Sequence, residues 1–340
     1  MNPRTFFMAL AAIGAFAIAC TTSIDTVDGQ SDSRDASGLR VVSTVSPITS
    51  LVETIGGSRI RLDGVIPEGV NSHTYEPAPS VATLLGDADL IVANGLFLEE
   101  PTIELAEANR KPGVMILTLG DQTITRDEWK FDLSFPESDG NPNPHLWPDP
   151  LLALRYAELI RDALTELHPD GTDEFARNYV ALSHRITALD AAIREAVATV
   201  PVDDRQLLTY HDSWAYFAQR YGLRVVGVAE PSDFSEPSAR EVADLISQIR
   251  ELDLRVVFGS EVFPSQILEQ VASETGASYV DDLRDDDLPG APGDPGHSYI
   301  GLMVQNMRIM IPALGGSAEA FDLVDTTSVF DGATNVRYPQ

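Results

Sequence analysis

Six histidines are spread over 340 residues, and four of them are candidates for shared chemistry. His73 lies in EGVNSHTYEPAPS, His145 in NPNPHLWPDP, His211 in LLTYHDSWAYF and His297 in GDPGHSYIGLMVQNM. Neutral imidazole is a borderline donor that suits zinc, copper, nickel and iron better than manganese, which favours oxygen. The four are much too far apart for a local motif such as HExxH or a zinc finger, so spacing alone assigns no metal. The elements that deliver them must decide.

From Leu39 the chain alternates β-branched strands with short amphipathic helices: LRVVSTVSP, ITSLVETIGG, IRLDGVIP, SVATLLGDADLIVANG, PTIELAEAN, VMILTLG. That order predicts a parallel sheet covered by helices. Asp121 to Pro144 is rich in Asp, Glu, Gly, Asn and Pro and reads as one long loop. A helix then starts at Asp149–Pro150. Residues 172–200 are helical throughout, with Phe175, Tyr179, Leu182, Ile186, Leu189 and Ile193 on one face. At 1.5 Å per residue this helix spans roughly 40 Å, a spine between two lobes. Strand–helix alternation resumes from RQLLTYH to ASYVDDL, and the acidic loop RDDDLPGAPGDPG leads to a last helix. The expected fold is therefore α/β, with an N-terminal lobe (39–171), the spine (172–200), a C-terminal lobe (201–316) and a tail (317–340). All four histidines fall at strand-to-helix junctions, two from each half. The carboxyl ends of strands are where open α/β sheets bind ligands, so the four imidazoles could converge in a cleft between the lobes. His168, beside a helix end, and His184, inside the spine, read as structural.

The formal charge is −29, with only two lysines, Lys111 and Lys130. Such a surface repels phosphate backbones, so no nucleic acid partner is expected. The N-terminus MNPRTFFMALAAIGAFAIAC has Arg4, an apolar run from Phe6 to Ala19, and Cys20. The run is short for a membrane span and fits a secretory leader. AIAC resembles a lipobox, which makes 1–19 a lipoprotein signal peptide and Cys20 the lipid-bearing residue. Residues 20–38 then read as a flexible tether. With a single cysteine, no disulfide forms within the chain. The folded body is expected outside the cytoplasm, anchored to the membrane and monomeric.

Several stretches together resemble the metal-binding lipoproteins of bacterial ABC importers, the zinc/manganese group of TroA-like (cluster A-I) solute-binding proteins. They are VVSTVSPITSLVETIGG, HTYEPAPSVATLLGDADLIVANGLFLE, NPHLWPDPLLAL, LLTYHDSWAYFAQRYGL and SYIGLMVQNM, in family order over nearly the whole mature chain. The resemblance implies two α/β lobes joined by a long helix and a metal in the cleft. It also implies a membrane permease and an ATPase as partners. It maps the first three ligands on His73, His145 and His211. The family's fourth ligand is usually Asp or Glu, two residues before a Tyr. HSY puts His297 there, a departure from the pattern. The His-rich loop of many zinc-handling relatives is missing, because residues 121–144 contain no histidine.

Four imidazoles around zinc would close a tetrahedron, which suits carriage rather than catalysis. They would leave the ion's two charges uncompensated. Glu261, Asp282 and Asp212 are therefore candidate ligands or supporting carboxylates, and Glu261 or Asp282 replaces His297 if that ring points away. Zinc is the expected ion, with manganese and iron(II) as alternatives. Two competing readings are a zinc hydrolase with three His ligands and Glu261 as base, and a binder of a metal chelate or an adhesion module.

Overall fold

The protein is described by a computed structural model covering residues 38–260, 262, 265–329 and 336–338. The first half runs β1 (Leu39–Ser43), α1 (Ser46–Gly56), β2 (Ile60–Gly64), α2 (Pro79–Asp87), β3 (Leu90–Ala93), α3 (Glu100–Asn109), β4 (Met115–Thr118), α4 (Leu119–Thr123) and α5 (Pro150–Leu167). The spine is α6 (Thr172–Thr199). The second half runs β5 (Gln206–Thr209), α7 (Ala215–Tyr221), β6 (Arg224–Val228), α8 (Ala239–Leu252), β7 (Val256–Phe258), α9 (Gln266–Thr275), β8 (Ser278–Val280) and α10 (Tyr299–Ala313).

Each half builds one parallel four-stranded sheet. The orders are β2-β1-β3-β4 and β6-β5-β7-β8, the same topology twice. The α/β expectation of two lobes and a long helix is therefore met. β3 is central, and its Leu-Ile-Val-Ala run is buried along its whole length, as a strand covered on both faces requires. The switch at the end of β1, between β2 on one side and β3 on the other, leaves a crevice above the sheet's carboxyl edge.

Local chemistry fixes the helix ends. Asp149 caps α5, its side chain accepting from the Leu151 and Leu152 amides. The same carboxylate takes the Arg220 guanidinium from α7, which joins the halves. Gly57, at φ 52°, ends α1 in a conformation that a β-carbon disfavours. Along α6 the face made by Phe175, Leu182, Ile186, Leu189 and Ile193 is buried. Tyr179, expected on that face, is only partly covered, and the Arg161 guanidinium lies 4.4 Å above its ring. His184 is exposed, and His168 ends α5 against Phe175.

A large core joins the first sheet, α1, α5, α6 and α10, reaching Phe217 and Phe258 of the second half. A smaller one, with Leu208, Ile249, Val257, Leu268 and Val271, holds α8 and α9 to the second sheet. Near the end of the chain, the backbone returns to the first lobe. Gly64 donates to the Arg337 carbonyl at 2.8 Å and Arg337 to that of Leu62 at 3.3 Å, beside edge strand β2. Between Asp121 and Pro144 the backbone is mostly irregular, but α4 takes its first residues and 3-10 turns form at 126–128 and 137–139. No helix among the described residues is long and apolar enough to cross a membrane. Cys20 and the leader lie outside the described residues.

Candidate metal centre

His73 stands on the loop after β2, His145 at the end of the irregular segment before α5, and His211 two residues past β5. One ring nitrogen from each lies within 4.8 Å of the other two. His145 is the hub, its Nε2 3.1 Å from His73 Nε2 and 3.0 Å from His211 Nε2. A tetrahedral ion with Zn–N bonds of about 2.0–2.1 Å holds its nitrogens roughly 3.3 Å apart, so the cluster needs little adjustment to grip one. His145 and His211 are buried, and His73 is partly open to solvent.

The two N-terminal histidines are set by one repeated device. In Asn71-Ser72-His73 and Asn143-Pro144-His145, the asparagine Oδ1 accepts the histidine amide two residues on, at 2.8 and 3.0 Å. Asn143 does more. Its Nδ2 donates to the Asp212 carbonyl at 2.7 Å and to Asp132 at 3.1 Å, which identifies Oδ1 as the oxygen facing His145 Nδ1 at 2.8 Å. An acceptor there requires a proton on Nδ1 and leaves the Nε2 lone pair bare. His211 is fixed the same way, its Nδ1 bonded to the buried Glu230 carboxylate. A carboxylate behind a ligating imidazole holds the tautomer and raises its basicity.

Burial opposes charge on all three rings. His73 and His145 are driven well below their ordinary pKa by burial and then by repulsion from His211. His211 feels the same burial, but Asp285 and Glu230 outweigh it and push its pKa up to about 10. Asp285 Oδ2 lies 3.6 Å from His211 Nε2. Trp147 Nε1 donates to the Asp285 carbonyl at 2.8 Å and so holds that loop in place. The neighbouring carboxylates tie it to the other half: Asp286 accepts from Ser72 at 2.6 Å, and Asp287 from the Gly69 amide at 2.8 and 2.9 Å.

The remaining expected residues fall elsewhere. His297 is not brought into the cluster. The turn closed by its own amide on the Asp294 carbonyl turns its ring toward Glu68, 3.9 Å away. Asp285, twelve residues earlier in the same loop, instead brings a carboxylate oxygen to 3.6 Å from His211 Nε2. Asp282 is exposed. Asp212 faces away from the cluster, accepting from the Ser134 amide at 2.9 Å. It lies near Asp132, whose pKa is raised by burial and then by the Asp212 charge. Glu261 lies outside the described residues. Sequence reasoning missed Asp285 and Glu230. Glu230 directly follows β6 and its one-residue extension, and the strand-end rule that singled out the histidines applies to it equally.

Two lobes of identical sheet order, with three imidazoles converging at the spacing of a single ion's ligands, define a two-lobed α/β solute-binding protein. The comparisons narrow this. Residues 41–313 match the family model "ZnuA: Zinc-uptake complex component A periplasmic", and the chain belongs to that family. It is 29% identical over 282 residues to the manganese-binding lipoprotein MntA of Halalkalibacterium halodurans, covering 83% of this chain and 90% of that one. To the iron-binding protein YfeA of Yersinia pestis it is 31% identical over 307 residues, covering 90% and 95%. The structure of the periplasmic zinc-binding protein TroA from Treponema pallidum superposes with a TM-score of 0.74 at 27% identity, over 82% of this chain and 99% of that one.

Proposed function

We propose that this protein captures a divalent transition metal outside the cytoplasm and hands it to an ABC importer. The ligands are His73, His145, His211 and Asp285. The observation that carries this is the set of Nε2 atoms 3.0–3.1 Å apart around His145, whose own Nε2 is freed of its proton by the Asn143 acceptor behind the ring. Once the ion displaces the proton from His211, three neutral nitrogens and one carboxylate make a mixed set that suits zinc first, with manganese and iron(II) as weaker cargo. Asp285 and Glu230 supply the negative charge that the ion requires. Four protein ligands leave no position for an activated water, so the role is carriage rather than hydrolysis. The names of the relatives support the same reading: manganese-binding, iron-binding and zinc-binding proteins.

The supporting placement is a leader over 1–19, a lipid on Cys20 and a tether to the membrane, with the permease and ATPase as partners of a monomeric carrier. Titration of demetallated protein with Zn²⁺, Mn²⁺ and Fe²⁺, read by calorimetry, tests the metal. One ion per chain with zinc tightest is expected. Tighter manganese than zinc would overturn the choice of ion, because the usual affinity order runs the other way. No binding at all would overturn the function.

A further inference from the structure

Of the three histidines, His73 alone is partly open, so a water joining a bound ion must approach from its side. That side is covered by rings. Phe234, from the loop after β6, stacks on His73 with centroids 4.3 Å apart and planes 16° from parallel. Phe135 stands 5.6 Å from His73, 5.8 Å from His145 and 6.0 Å from Phe234. Trp147 meets the edge of His145 at 5.1 Å.

Phe234 is held in this place against its backbone preference. Its φ is 56°, in the left-handed region that a β-carbon disfavours. The turn is fixed on both sides, by the Phe234 amide on the Pro231 carbonyl at 3.0 Å and by Asp233 accepting from Ser235. Strain of this kind persists where surrounding contacts over-determine it, and it concentrates at functional sites. Here it aims an aromatic ring from the second lobe onto a candidate ligand of the first.

We infer that Phe234 is a selectivity-determining residue: its ring closes the open side of the site and holds the ion at four protein ligands. The inference rests on the metal-carrier reading above. Zinc accepts four-coordinate tetrahedral geometry, whereas manganese favours six-coordinate, oxygen-rich surroundings that it completes with water. A cap that shuts water out leaves zinc satisfied and manganese under-coordinated. Phe234 touches the imidazole face rather than the ion, so it acts by position.

The test compares the full chain with Phe234→Gly and Phe234→Tyr. Glycine adopts the same φ without strain, so folding is preserved while the ring is lost. Tyrosine keeps the ring. Zn²⁺ and Mn²⁺ affinities are measured by competition, and Co²⁺ is loaded to report coordination number through its visible absorption, intense when four-coordinate and weak when water adds. In F234G the zinc-to-manganese affinity ratio is expected to fall about tenfold, the scale of changes just outside the ligand set. The cobalt band is expected to weaken in step, and F234Y to behave as wild type. An unchanged ratio and cobalt band in F234G would overturn the inference, as would F234Y failing like F234G. A weak, six-coordinate cobalt spectrum in the wild type would overturn it too. Wild-type protein that binds none of the three ions would remove the carrier reading itself, a result distinct from zinc binding without ring-dependent selectivity.

Discussion

In the N-terminal half the groups facing the cleft are His73 and His145. Each is fixed by an asparagine two residues earlier and kept neutral by burial and by repulsion from His211. In the C-terminal half they are His211, Glu230 and Asp285, an imidazole between two carboxylates with its pKa raised to about 10. The strand order behind both sets is the same. The difference teaches that the topology places donors at strand ends and leaves their charge to the loops. One half offers neutral nitrogen, which favours borderline metals. The other offers the anions that make a doubly charged ion affordable in a buried site.

The contrast can be broken most severely at the hub. His145→Ala removes the atom common to both nitrogen contacts, and Zn²⁺ affinity is expected to fall by more than the ~100-fold typical of changes outside the ligand set. Calorimetry on the refolded, metal-stripped variant measures it, and a loss under tenfold would put the site elsewhere. Next is the carboxylate side. Asp285→Asn should weaken zinc by about 100-fold while His297→Ala leaves it unchanged, since His297 faces Glu68 instead. The opposite ranking would restore His297 as the fourth ligand. Glu230→Gln keeps the shape but loses the charge behind His211, and a loss of about tenfold is expected; no loss would mean that Glu230 serves folding alone.

The smallest effect tests the neutral half. Glu99 is 2% exposed, and burial raises its pKa from 4.5 to about 7 despite hydrogen bonds from Thr44, Asn94 and Gly95. An acid raised in the folded state binds a proton more tightly there than when unfolded. The stability it contributes is complete below about pH 4.5 and is lost as pH rises through about 7. Glu99→Gln should therefore flatten the fall in melting temperature between pH 5 and pH 8. Parallel pH profiles for variant and wild type would show that Glu99 is already ionised.

Much of the fold was legible because local patterns and tertiary demands agree in it. The continuous apolar run of β3, the Gly56-Gly57 stop of α1, the Asp149-Pro150 start of α5 and the three-four periodicity of α6 each have one physical solution. α4 was not readable: five residues containing Gly120 and Thr123 carry no periodicity. Of the site, the strand-end histidines were visible by position, and three of the four come together. His297 misled because its place before Tyr299 matches a family pattern, while the path of a Pro- and Gly-rich loop depends on what it lies against. Asp286 and Asp287 dock that loop on Ser72 and Gly69, contacts more than two hundred residues apart in sequence, and so decide that Asp285 faces His211. Phe234 carried no periodic signal, since its backbone conformation comes from the turn around it.

The strand-like return at Arg337 bears on the order in which the chain can finish folding. The first sheet holds residues 39–118, yet the amide of Gly64 and the carbonyl of Leu62 find their partner only at position 337. Until that segment is available, β2 presents an unpaired parallel edge, the feature most prone to pairing with another chain. Closing so long a loop is slow relative to local contacts. The lobe that begins first is thus completed last, and a chain arriving from its N-terminus must keep that edge out of contact with its neighbours until nearly all of it has emerged.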